Sequence, residues 1–207
     1  MIMAKTKITK TSPNQDFPDW AKQRREQAWQ QFKALPWPTK RDEAWRLTRL
    51  NDFSWDDFSL DSVTGEPNQS KKLDQIIDDS TAVMADGGIR IYQDSVTIHH
   101  RLEESLTKSG VLFEDLGTAL TKHQDLLEPL LDKNPEPKTH PLAKLNWLTR
   151  ARWSHGVLIY VPKGVTVTMP LRLVYASSLK DKLLAPRTVV ILEPHANLTL
   201  VEKILTI

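Results

Sequence analysis

The sequence predicts an α+β protein in which helices come first and strands follow. Three observations carry this. Strong helix formers with apolar residues at helical spacing recur up to Trp153. From Gly156 the texture changes: Val165, Val167, Met169, Leu171, Leu173 and Tyr175 occupy every second position, which is the period of a strand. Prolines and glycines mark breaks, with Pro36 after the first helix, three prolines over 133–141 and Pro162-Lys163-Gly164 as a turn, while Pro170 interrupts the alternating run.

The elements follow in order. Residues 1–18 read as a disordered start; Lys5, Lys7 and Lys10 are not followed by an apolar stretch, so they do not form a secretory signal. Asp19 to Leu35 predicts a helix, with Ala21, Ala28, Phe32 and Leu35 on one stripe and Pro36 as its stop. Thr39 and Asp42 resemble a capping box and predict a second helix to about Leu50, with Trp45 facing inward. Residues 51–70 read as a loop that Phe53, Trp55 and Phe58 could pin to a core. Asp86-Gly87-Gly88 between Ala82–Ala85 and Ile89–Tyr92 predicts a hairpin turn. Leu116, Leu120, His123, Leu127 and Leu130 predict a helix, residues 133–141 a proline-rich linker, and Leu142–Trp153 a further helix capped by Gly156. Val157–Val161, the alternating run bent at Pro170, Thr188–Leu192 and Leu198–Ile207 are the strands. Such short, closely spaced strands point to a sandwich, a barrel or a β-solenoid. The organisation is thus a tail over 1–18, an α-rich domain over 19–156 and a strand domain from 157 to 207.

Composition narrows the chemistry. The 207 residues contain no cysteine, so disulfides, thiol nucleophiles and thiolate-bound metals are excluded within the chain. Net charge is only +2, which gives no global field for nucleic acid. No apolar run approaches the roughly 20 residues of a membrane span. The expected location is the cytoplasm.

The six histidines form no paired helical motif, and His99 and His100 point to opposite faces of one strand. Ser154-His155 is adjacent in sequence without a nucleophile elbow around it. Asp56-Asp57, Asp78-Asp79 and Glu103-Glu104 read as solvated faces, and no phosphate-binding glycine loop occurs. Arg24, Arg25, Lys40, Arg41, Arg46 and Arg49 lie among Trp20, Trp29, Trp37 and Trp45. This pattern suits either single-stranded nucleic acid or an amphipathic helix pair whose arginine stems cover inward tryptophans, and the second reading is preferred. No catalytic constellation emerges. The chain also stops at Lys203-Ile204-Leu205-Thr206-Ile207 in mid-pattern, which predicts an apolar β end that associates, as a homodimer among other ways.

Several stretches together carry a resemblance. They are Leu35-Pro-x-Pro-Thr39 with Arg41-Asp-Glu-Ala-Trp45-Arg46-Leu-Thr48; the Asp86-Gly87 turn; Gly110-Val111-Leu-Phe113-Glu-Asp115-Leu116 with Ala119 and His123; Leu142-Ala-x-Leu145-Asn146; Gly156-Val-Leu-Ile-Tyr-Val161-Pro162-Lys-Gly164-Val165; Pro186-Arg187; and Glu193-x-x-Ala196-x-x-Thr199-Leu-Val-Glu202. In this order the set resembles the N-terminal half of the SufD family of iron–sulfur cluster assembly proteins, within the SufB/SufD superfamily. The resemblance implies an α-rich N-terminal domain followed by the first turns of a right-handed parallel β-helix, truncated relative to the family. It implies a non-catalytic scaffold that works with a SufB-like protein and a SufC-like ABC-type ATPase. The cluster would be assembled by the full complex, with no cofactor or metal bound by this part and no nucleic-acid or membrane partner. The matching residues Trp45, Arg46, Asn146, Gly164, Arg187 and Glu193 are expected to be architectural. The rivals are a stand-alone solenoid module that dimerises through its β end, a carbohydrate-active β-helix enzyme, and a nucleic-acid module; the second needs carboxylates clustered on successive rungs, and the strand region offers only Asp181, Glu193 and Glu202, which do not recur at a rung period.

Overall fold

A computed structural model describes residues 17–48, 75, 86–132, 142–179 and 184–206. The expected loop over 51–70, the Ala82–Ala85 arm of the expected hairpin and the 133–141 linker lie outside these. The chain divides into two units that interleave in sequence: 1–62, 119–154 and 181–185 form the first, and 63–118, 155–180 and 186–207 the second.

The first unit is helical. Helix α1 (Asp19–Ala34) starts at Pro18, with Asp19 in its first turn and Lys33 in its last, both favourable to the helix dipole. It buries Ala21, Arg25, Ala28, Trp29 and Phe32. It ends because Pro36 disfavours helical backbone at the residue before it; Leu35 is extended, at φ −88° and ψ 139°. The expected second helix is absent. Asp42 accepts from the Thr39 N–H at 2.6 Å and from Thr39 Oγ1 at 3.0 Å, while Thr39 Oγ1 accepts from the Arg41 N–H at 3.2 Å. These bonds close a local turn, and only a 3-10 turn, Glu43–Trp45, follows, with Trp45 half-buried.

The 3-10 turn and helix α1 are followed by later helices of both units. Helix α2 (Glu104–Lys108) belongs to the second unit. The 116–130 pattern yields two helices, α3 (Leu116–Lys122) and α4 (Gln124–Asp132), broken at His123. Helix α5 (Ala143–Arg152) packs on α1 through Leu148 and Ala151, against Ala28, Trp29 and Phe32. Gly156 does not cap it: the next element begins at His155.

The second unit holds the strands β1 (Gly88–Gln93), β2 (Val96–Leu102), β3 (Leu112–Asp115), β4 (His155–Val161), β5 (Leu171–Ser177), β6 (Pro186–Leu192) and β7 (Leu200–Thr206). They form two open sheets, in the orders β2-β1-β5-β7 and β3-β4-β6. β1 and β2 are joined by a turn at Asp94-Ser95, with φ of 48° and 85°, which the sequence reading does not contain. Asp86-Gly87 instead leads into β1, where the Gly87 N–H bonds Pro170 O at 3.0 Å.

The parallel β-helix implied by the resemblance is overturned by this topology. Both sheets are mixed: β1–β2 and β3–β4 are antiparallel, whereas β1–β5, β5–β7 and β4–β6 are parallel. The physical reason is local. The Asp94-Ser95 turn folds β2 back on β1, and β3 pairs head-to-tail with β4, so antiparallel edges bound the parallel pairs. Alternation then sends Val157, Ile159, Val161, Leu171, Leu173 and Tyr175 into one core with Tyr92 and Phe113. The α+β class itself stands.

A buried tyrosine–histidine stack as the candidate functional site

The chemistry-bearing side chains of the strand unit converge where β4 begins. Register places Tyr92 of β1 beside Tyr175 of β5. Their rings stack at 5.4 Å between centroids and 17° between planes. His155, the first residue of β4, packs at 5.0 Å from the Tyr92 ring and 5.2 Å from the Tyr175 ring. Tyr92 is 1%, His155 2% and Tyr175 6% exposed, so solvent does not reach the group.

Hydroxyls carry a polar chain outward from the stack. Tyr92 Oη donates to Gly156 O at 2.5 Å and lies 3.3 Å from Asp115 Oδ2. Tyr175 Oη meets Thr188 Oγ1 at 3.3 Å, and Thr188 Oγ1 donates to Glu202 Oε1 at 2.6 Å. Arg90, two residues before Tyr92, donates to Phe113 O at 2.8 Å and lies over the Tyr92 and Phe113 rings. Its charge is thus buried against a carbonyl and two ring faces.

Burial sets the protonation states. It pushes the His155 imidazole down to about 4, so the ring is neutral at ordinary pH. It pushes the Tyr175 phenol up to about 12 and raises Tyr92 further, with the Asp115 carboxylate adding to the rise. A neutral histidine between protonated phenols, closed to solvent, offers neither a general base nor a nucleophile to a substrate. Among the described residues no group of three or more His, Asp and Glu side chains could hold a metal ion.

A second buried polar group sits at the start of β1. The Asp86 side chain is fully buried and pairs with Arg101 of β2, while Arg172 Nε of β5 stands 3.9 Å from its other oxygen. The residue expected to form a turn is therefore a buried ionic clasp across three adjacent strands.

None of the six residues matched to the family is one of the three stacked rings. Trp45 is in the 3-10 turn, and Arg46 pairs with Glu43 at 3.5 Å in the open. Asn146 is in α5, where its N–H bonds Leu142 O at 2.9 Å. Gly164 sits at φ 72°, a conformation that side-chain-bearing residues rarely adopt, and its N–H bonds Pro194 O at 3.1 Å. Arg187 opposes Gly156 in register, and the Glu193 N–H bonds Val161 O at 3.1 Å. Of the three carboxylates of the polysaccharide reading, Asp181 lies outside the described residues and Glu202 is engaged by Thr188. Sequence reasoning missed the stack. Tyr175 stood in the alternating run, but nothing local linked it to Tyr92 or to a histidine taken as part of a helix cap.

Comparison with known proteins identifies the lineage. Residues 8–173 match a family described as SufBD protein N-terminal region. The chain belongs to the SufBD family. It is 31% identical over 189 residues to the iron–sulfur cluster assembly protein SufD of Bacillus subtilis, covering 89% of this chain and 41% of that protein. It is 31% identical over 115 residues to SufB of the same organism, covering 56% of this chain and 24% of that protein. An iron–sulfur cluster assembly SufBD family protein of Staphylococcus saprophyticus is 21% identical over 206 residues, 94% of this chain and 42% of its own length. The chain thus spans about two fifths or less of the length of these relatives. Tyr92 and His155 fall inside the SufBD region, and Tyr175, Arg187 and Glu193 follow it.

Proposed function

We propose that this chain is part of a SufD-like, non-catalytic scaffold subunit that works in iron–sulfur cluster assembly in the cytoplasm. The observation that carries the reading is the similarity to SufD of Bacillus subtilis, which extends over 89% of the chain, against 56% for SufB. The chemistry of the stack supports it, because its titratable groups are held in their neutral forms and sealed. In this reading the chain itself binds neither cofactor nor metal. Its partners are a SufB-like protein and a SufC-like ABC-type ATPase, and the cluster is cargo of the complex. Trp45, Arg46, Asn146, Gly164, Arg187 and Glu193 then serve packing and turns.

The test is an affinity purification of the native protein from its source, with partners identified by mass spectrometry. Recovery of an ABC-type ATPase together with a second SufBD-family protein is the expected outcome. Recovery of the protein with neither would remove the scaffold reading.

A further inference from the structure

We propose that Arg101 and Arg172 form an oxyanion-binding site on the outer face of the four-stranded sheet, with Asp86 as the residue that positions them and a phosphate group as the ligand. Register places the pair. Ile89 of β1 lies between Arg101 of β2 and Arg172 of β5, and Arg172 lies beside Val201 of β7. Alternation turns this row away from Leu171, Leu173 and Tyr175, which fill the core with residues of the other sheet. The next row on the same face is His99, Ile91, Val174 and Lys203. The two rows carry Arg101, Arg172 and Lys203 and no carboxylate.

The clasp leaves charge and donors over. The Asp86 side chain is fully buried, whereas those of Arg101 and Arg172 are 47% and 27% exposed. One carboxylate therefore stands behind two guanidiniums that a solute can reach. Arg101 Nη2 donates to Asp86 Oδ1. Arg172 Nε stays 3.9 Å from Oδ2, beyond hydrogen-bond range, and finds no hydrogen-bond partner among the described residues. Each guanidinium offers five N–H donors, so most donors of the pair are uncommitted among the described residues. Lys203 adds a third cation, in no ion pair among the described residues. Glu103 is the opposing charge nearest along the chain: its N–H bonds Gly87 O at 2.9 Å, and the residue is exposed. Asp86 and Glu103 together leave one of the three cations uncompensated. A carboxylate has one edge and fits one guanidinium fork. A phosphate is tetrahedral and presents a pair of oxygens to each of two forks at once, which selects the ligand class.

The test is site-resolved NMR of the arginine Nε–H groups in the 207-residue chain, titrated with sodium phosphate and, at matched ionic strength, with sodium chloride. Saturable shifts of Arg101 and Arg172 in phosphate, absent in chloride and absent at the exposed Arg46, are the expected result. Arg172→Gln is expected to weaken phosphate binding by at least about tenfold, and Arg172→Lys, which keeps the charge but not the fork, nearly as much. Tyrosine absorbance and tryptophan fluorescence check that each variant is folded in both units, because all three tyrosines lie in the second unit and all seven tryptophans in the first. Glycerol phosphate, as a second probe, separates the sources of the ligand: equal binding of the ester supports a phosphorylated molecule, and binding of inorganic phosphate alone supports the free ion. No saturable shift at either arginine in the wild type, or unchanged affinity in a folded Arg172 variant, overturns the proposal. Should neither variant fold, the wild-type titration decides alone.

Discussion

The two units bury cations in the same way but differ in the group at their centre. In the helical unit, cations stay charged and are held over aromatic rings and against backbone carbonyls. Arg25 donates to Trp153 O at 2.8 Å between the Phe17 and Trp153 rings, Lys144 lies 4.3 Å from the Phe32 ring, and Arg152 lies 4.1 Å from Trp29. Lys144 also donates to Phe32 O and Leu35 O, the carbonyls that α1 leaves unpaired at its end. In the strand unit the central titratable group, His155, is instead kept neutral. The difference follows from what each architecture supplies. A helix end presents several unpaired carbonyls to a long flexible cation. The strand unit holds Arg90 in the same manner, against Phe113 O and over two rings, whereas His155 packs against the Tyr92 and Tyr175 rings.

The largest expected effect is on backbone approach in the strand unit. Gly156→Ala puts a methyl into the Arg187 carbonyl and should cost about 3 kcal/mol or prevent folding of that unit. Denaturant unfolding followed by tyrosine absorbance should shift much more than the tryptophan signal; equal shifts would show that the units do not respond separately. Lys144→Met should reverse that pattern. It removes two charge-assisted bonds to carbonyls and should cost about 2 kcal/mol, read by tryptophan fluorescence.

How much of this was legible in the sequence depended on the range of the determining interaction. Helix α1 was legible because Pro36 and the spacing of Ala21, Ala28 and Phe32 act within a few residues. The tryptophan–arginine pattern predicts a covered helix pair over 19–35 and 39–50, of which only the first helix forms; Arg25 lies over Trp153 and Arg152 over Trp29, contacts with α5 that the pattern does not contain. The Thr39–Asp42 pair was legible as a bonded unit but not in its outcome, since the same bonds fit a helix cap or a closed turn. The Asp94-Ser95 turn was not legible, since neither residue is a glycine although both have positive φ, and Gly156 misled. Gly156 satisfies helix capping, yet it is needed where β4 meets Arg187, 31 positions later in the chain, in a pairing that no local pattern encodes. The stack was illegible for a like reason: Tyr92 and Tyr175 meet through the parallel pairing of β1 with β5, and His155 reaches them from the other sheet.

Two smaller effects sharpen the comparison. Tyr92→Phe keeps the ring stack but removes the bonds to Gly156 O and Asp115, and should cost about 1 kcal/mol, visible in the tyrosine-monitored transition. Arg46→Ala removes an exposed ion pair and should stay within about 0.5 kcal/mol in thermal unfolding. A larger loss would mean that Arg46 does more than close its own turn.

The central claim is membership of a SufD-like scaffold. It is tested most directly by co-expressing the native protein with the SufB-like and SufC-like proteins of its source and determining the composition of the purified assembly by native mass spectrometry. A single assembly containing all three proteins is the predicted result. A SufB-like and SufC-like assembly that forms while excluding this protein would contradict the claim.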